Sequence, residues 1–172
     1  MAPTERAKQA RRDAERGSAE AQAALGIWHL RGDEGLEQDP VQAAAFIRAA
    51  ADLGHVDAQG ALASFYYFGS GSVEQSYALA AWWWRKAADQ GLADAQFFVG
   101  RLYASGEVSM KKELPLGKRY LELSAAQGDE RAIAFLKELR KCVSCGKLDV
   151  HHMVCKRCHN RRYCDKGCQL RH

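Results

Sequence analysis

The chain has 172 residues, 47 % of them apolar and 27 % charged, with a formal net charge of +4. This balance excludes a disordered polyelectrolyte and fits one ordinary domain, or one domain with a small appendage. The N-terminal stretch is charged throughout and lacks the apolar core of a secretory signal. The longest apolar run, Tyr77 to Trp84, is eight residues, against the roughly 20 that a membrane helix needs. The expectation is a soluble intracellular protein, in cytoplasm or nucleus, with no membrane partner.

From Thr4 to Leu136 the sequence repeats with a step of 37 residues. Ala21-Gln22 recurs as Ala58-Gln59 and Ala95-Gln96, and then as Ala132-Ile133. Gly17, Gly54, Gly91 and Gly128 keep the same step, as do Gly32, Gly69 and Gly106, and as do Leu25, Leu62, Val99 and Leu136.

In chain order, Thr4–Arg16 ends at Gly17 and takes the second-helix place of a unit that lacks its first helix. Three whole units follow. Their first helices are predicted near Glu20–Leu30, Ala58–Phe68 and Ala95–Ala104, on apolar residues at helical spacing such as Ala58, Ala61, Leu62, Phe65 and Phe68. Each stops at a glycine suited to the left-handed conformation. The second helices are predicted near Pro40–Leu53, Gln75–Gln90 and Leu114–Gln127, the first of them opened by Asp39-Pro40. Residues 129–140 are a first helix without a second. Helix pairs of this length bury their faces only by stacking, so the fold class is all-α, an α-solenoid of helix pairs. Small residues (Ala50-Ala51, Ala87-Ala88, Ser124-Ala125) permit close approach, and Phe46-Ile47, Trp83-Trp84 and Tyr120-Leu121 fill the space between.

The tempting residues of this scaffold read as structural. Trp83 and Trp84 fall in core columns. Trp82, whose equivalents are Ala45 and Arg119, is expected at the surface as a partner anchor. His29 stands where Tyr66 and Tyr103 stand, and is expected in the core. His55 is expected in a solvated turn. The acidic loop from Gly32 to Asp39 lacks a calcium pattern and is expected to be solvated. No hydrolase triad order, phosphate loop or metalloprotease motif is present, so catalysis is not expected.

All six cysteines lie in residues 141–172, a segment with eight Lys/Arg and two Asp/Glu that leaves residues 1–140 at −2. The pattern is Cys142-x-x-Cys145, Cys155-x-x-Cys158 and Cys164-x-x-x-Cys168. In a reducing compartment this spacing points to metal ligands, and the metal to zinc. Six thiolates do not fill two tetrahedral sites. A local histidine (His151, His152, His159 or His172) is one way to complete the second. Another arrangement places Cys142, Cys145, Cys155 and Cys158 on one ion, with Cys164, Cys168 and His172 on another.

Two resemblances attach to these residues. Over residues 4–136 the pattern resembles the Sel1-like repeats, relatives of the tetratricopeptide repeats. Ala95, Val99-Gly100, Tyr103 and Gly106 match the first half of that family's run. Ala80, Trp83-Trp84, Lys86, Ala87-Ala88 and Gly91 match the second. Ala63, where the family has glycine, is a departure. The resemblance implies a non-enzymatic interaction scaffold over residues 1–140.

Residues 141–172 resemble a MYND zinc finger, with Tyr163-Cys164 and Cys168-Gln169 adding to the cysteine spacing. That likeness implies one site of Cys142, Cys145, Cys164 and Cys168. It implies a second site of Cys155 and Cys158 whose remaining ligands would lie past His172, as in a truncated finger. It also implies protein partners, short proline-rich peptides among them. The alternative function is a nucleic-acid-associated regulator that uses the basic finger. Against it, the tail has a single aromatic residue, Tyr163, and so no base-stacking platform.

Overall fold

The computed structural model describes residues 2–71, 73–106 and 113–140, together with 153–154 and 162–163. Among them are eight helices: α1 (Glu5–Glu15), α2 (Ala19–Arg31), α3 (Pro40–Asp52), α4 (Val56–Phe68), α5 (Tyr77–Asp89), α6 (Ala93–Ser105), α7 (Leu114–Ala126) and α8 (Glu130–Arg140). The first helices α2, α4 and α6 and the second helices α3, α5 and α7 each begin 37 residues apart. The all-α solenoid class therefore holds, with the half unit, three whole units and half unit in the expected order. Two short strands, β1 (Met153–Val154) and β2 (Arg162–Tyr163), pair antiparallel with Met153 opposite Tyr163.

Side chains fix where the helices begin. Thr4, Ser18, Asp39 and Ser76 each accept a backbone N–H of the first turn, meeting donors that a helix start leaves unpaired. Ser76 explains one difference from the sequence reading. The second helix of the middle unit starts at Tyr77, not Gln75, because Gln75 turns back to donate to the Tyr67 carbonyl at 2.8 Å. His55 lies in the turn between α3 and α4 and is partly exposed, and there it has a partner that the sequence did not show. Its Nδ1 accepts from the Ala58 N–H at 3.3 Å and caps α4. At the other end of the first helices, Gly32, Gly69 and Gly106 have φ of 74°, 69° and 72°, as their column predicts.

The repeated Ala-Gln pair has a structural cause. Gln22, Gln59 and Gln96 donate from Nε2 to the carbonyls of Ala14, Ala51 and Ala88, at 3.3, 3.3 and 3.2 Å. Each ties a first helix to the last turn of the helix before it.

The chain forms two compact units, 1–99 and 100–172, with α6 starting in one and ending in the other. In the first, Leu25, Ile47, Leu62 and Trp84 are buried. Each such side chain contributes roughly 1.5–3 kcal/mol on leaving water. Ala7, Ala10 and Ala14 bring α1 onto Leu25 and Leu36. The N-terminus is also tied to the acidic loop: the Thr4 hydroxyl donates to the Glu34 carboxylate at 2.6 Å, and Arg6 pairs with it at 3.1 Å. The loop is thus partly fastened, not wholly solvated.

In the second unit, Leu102, Leu121 and Ser124 are buried. Gly100 and Gly117 let α6 and α7 approach closely. Asp129 heads α8, accepting from the Ser124 hydroxyl at 3.0 Å and from the Arg131 guanidinium at 2.8 Å.

Candidate functional site

The first unit carries an open groove of about 600 Å³ between α1 and α3. Its floor is Leu25 and Gln22 of α2, with Ala14 of α1. One wall is Arg11 and Glu15, and the other is Gln42, Ala45, Phe46 and Ala49. Phe46 is held by His29, whose ring lies parallel to it at 5.7 Å. His29 is buried and its Nδ1 lies 3.2 Å from the Glu37 carbonyl, so the reading of a core histidine is right. The same two columns meet again two repeats later, where Tyr103 and Tyr120 stack at 6.5 Å.

On the next second helix the surface is aromatic. Trp83 and Trp84 are buried, while Trp82 is 48 % exposed. Trp82 packs edge-on against Trp83 at 4.6 Å, and the Lys86 ammonium lies 3.9 Å from the Trp82 ring centroid. A cation so placed is held by the ring quadrupole, by about 0.5–1 kcal/mol at an exposed position. A second exposed aromatic group stands where α4 ends and α5 begins. Phe68, 69 % exposed, and Tyr77 both pack on Tyr67, at 5.0 and 5.3 Å. Phe68 was legible as part of the helical apolar stripe but not as a surface residue. It lies one residue before the terminating glycine, where no following turn covers it.

The proposed metal ligands Cys142, Cys145, Cys155, Cys158, Cys164 and Cys168, and the histidines His151, His152, His159 and His172, lie outside the described residues. Among the described residues, no group of three or more His, Cys, Asp or Glu side chains is placed to hold a metal ion. No helix among them is long and apolar enough to cross a membrane.

Comparison with known proteins places the repeat. The Sel1 repeat family matches three times in tandem, at residues 19–55, 56–92 and 93–129. These are the pairs α2–α3, α4–α5 and α6–α7. A Sel1 repeat protein from Oxalobacter formigenes is 36 % identical, with a TM-score of 0.70 over 75 % of this chain and 95 % of its own. A protective antigen present in uropathogenic Escherichia coli strains, displaying an SLR fold, is 35 % identical with a TM-score of 0.66 over 73 % of this chain. The chain spans about a quarter (26 %) of that antigen's length. No curated protein matches significantly.

Proposed function

The chain belongs to the Sel1 repeat family, whose members are in general protein-interaction scaffolds, and we propose that it is a non-enzymatic adaptor. The repeat surface would hold one partner and residues 141–172 would form a second, zinc-supported docking module. The observation that carries the first half is the large apolar surface exposed at Trp82 and Phe68. Exposed indole and phenyl rings on a rigid helical support lose little conformational entropy on binding, which is why such residues anchor interfaces. The zinc half is supported by the spacing of the six cysteines and by the Tyr163-Cys164 and Cys168-Gln169 pairs. Zinc bound to Cys142, Cys145, Cys164 and Cys168 would hold together a segment too short for a core of its own. Zinc thiolates in turn favour a reducing, intracellular setting. Short proline-rich peptides are the ligands proposed for that module. Two weak modules on one chain raise avidity without new contacts.

The test is a capture experiment with the intact chain, a chain cut after Arg140, and the intact Trp82→Ala variant. Partners lost on cutting belong to the finger, and partners lost with Trp82→Ala belong to the repeat surface. If capture is unchanged in both, the proposed docking sites are wrong.

A further inference from the structure

The residues that line the groove between α1 and α3 have sequence counterparts one repeat on, and the two sets differ in a consistent way. Shifted by 37 residues, Gln42, Ala45, Phe46 and Ala49 become Leu79, Trp82, Trp83 and Lys86. The second repeat thus carries an indole against Trp83 and an ammonium over that indole. The first repeat has only the methyl groups of Ala45 and Ala49 beside Phe46, and its groove is open.

The polar floor differs in the same way. In the second repeat, Gln59 Oε1 accepts from Gln90 Nε2 at 2.8 Å. The equivalent of Gln59 is Gln22, whose Oε1 is shielded from solvent and has no partner among the described residues. The equivalent of Gln90 is Leu53, which is 54 % exposed and has no side-chain donor. The second repeat therefore carries an indole, an ammonium and an amide donor at the positions where the first repeat has Ala45, Ala49 and Leu53. The α1 wall adds charge. Glu15 and Arg11 line the groove, and neither forms a side-chain hydrogen bond or ion pair among the described residues.

We propose that the first-repeat groove receives a helical segment of a partner protein that presents an aromatic side chain with a basic residue four positions later. The ring would lie on Phe46, over Ala45, as Trp82 lies on Trp83. The cation would pass over Ala49, with Glu15 on the opposite wall to attract it. A ring and a cation four residues apart on one helix face, followed by an amide donor at the C-cap, are what the second repeat supplies to itself in Trp82, Lys86 and Gln90. This inference rests on the adaptor reading and names the partner chemistry for one of its surfaces.

The probe is a fluorescein-labelled, capped helical peptide with one tryptophan four residues before one lysine, titrated by anisotropy against the full zinc-loaded chain. Saturable binding is expected, lost when the peptide's tryptophan is replaced by alanine. The double variant A45W/A49K fills the groove with the second repeat's own side chains. It should weaken binding at least 10-fold without lowering the melting temperature. In case that variant misfolds, Glu15→Lys gives a separate reading. It should weaken the lysine peptide several-fold and favour a peptide with glutamate in place of lysine.

The proposal is overturned if the peptide fails to bind the wild-type chain, or if A45W/A49K and Glu15→Lys both bind it as the wild type does. It is also overturned if the chain self-associates and A45W/A49K abolishes that, which would give the groove to a second copy. If partner capture by the intact chain persists through any of these failures, the groove is sunk and the adaptor reading stands.

Discussion

Gly117→Ala sets two effects of similar size against each other, and the backbone approach of α6 decides between them. Gly117 lies inside α7, where replacing glycine by alanine normally gains about 1 kcal/mol of helix propensity. Here the added Cβ would lie 2.6 Å from the Ala104 nitrogen and 2.7 Å from the Gly100 carbonyl oxygen. Both are backbone atoms of α6, so no rotamer change relieves the contact and α7 itself must retreat. Gly100 reads the same way from the other side, with its own Cβ 2.7 Å from Leu121 Cγ and 2.9 Å from the Gly117 oxygen. Overpacking of this kind costs about 1–3 kcal/mol, with rigid neighbours at the upper end. The net expectation is a loss of about 1–2 kcal/mol, or roughly 2–8 °C in melting temperature at this chain length.

Gly60→Ala is the control, because the same chemistry meets a different neighbour. Its new Cβ would approach only Leu92 Cδ2, at 2.7 Å, the far end of a flexible side chain. The equivalent position in the first repeat is already Ala23. Propensity should win there, raising stability by up to about 1 kcal/mol. Thermal melts of the full chain, followed by circular dichroism with a parallel urea titration, compare the two variants. A Gly117→Ala chain that melts at or above the wild type, or a Gly60→Ala chain that loses as much as Gly117→Ala, refutes the close-approach reasoning.

Three further expectations come from named contacts. The Arg131 guanidinium, with help from the Ser124 hydroxyl and the Arg131 N–H, holds the Asp129 carboxyl down at about 2. A carboxyl depressed from its ordinary value of about 4 stabilises the fold fully above that value, and loses its contribution as the pH falls toward 2. Asp129→Asn should therefore destabilise the chain at pH 7 and flatten the fall in stability between pH 4 and 2, and equal slopes for variant and wild type in acid melts would count against it. Leu53→Gln restores the amide that the second repeat uses at Gln90, so it should satisfy Gln22 Oε1 and add about 1 kcal/mol, read as a higher urea midpoint. For the proposed finger, elemental analysis should find tightly held zinc that Cys142→Ser or Cys164→Ser releases, and a zinc-free chain would count against it.

Much of the scaffold was legible because repetition turns one weak signal into several aligned ones. Gly32 alone says little about a helix end. Gly32, Gly69 and Gly106 in one column locate three ends, and all three prove left-handed. Columns carried His29 into the core for the same reason. What columns do not reveal is the partner of a side chain. The Ala-Gln pair was visible as a repeat, yet nothing in its spacing says that the glutamine reaches back eight residues to a helix carbonyl. The capping role of His55 was missed although its column neighbours Ser18 and Asp129 are ordinary capping residues. Histidine is seldom expected to cap, and only geometry shows Nδ1 turned toward the Ala58 N–H.

The groove was missed for a more instructive reason. The column containing Ala45, Trp82 and Arg119 drew attention to its largest member, and Trp82 is indeed exposed. The same column also says that the first repeat keeps a methyl group where its neighbour has an indole. In a repeat protein a small residue in a large residue's place leaves either a collapse or an opening, and sequence does not distinguish them. Collapse would need α1 and α3 to close over Leu25. In the structure they do not close, and Phe46 and Ala49 line an open groove with Arg11 and Glu15. Leu53→Gln tests whether the polar floor and the open space are separable. It supplies the missing donor to Gln22 without filling the space over Ala45 and Ala49, so it should raise stability while leaving room for an aromatic side chain.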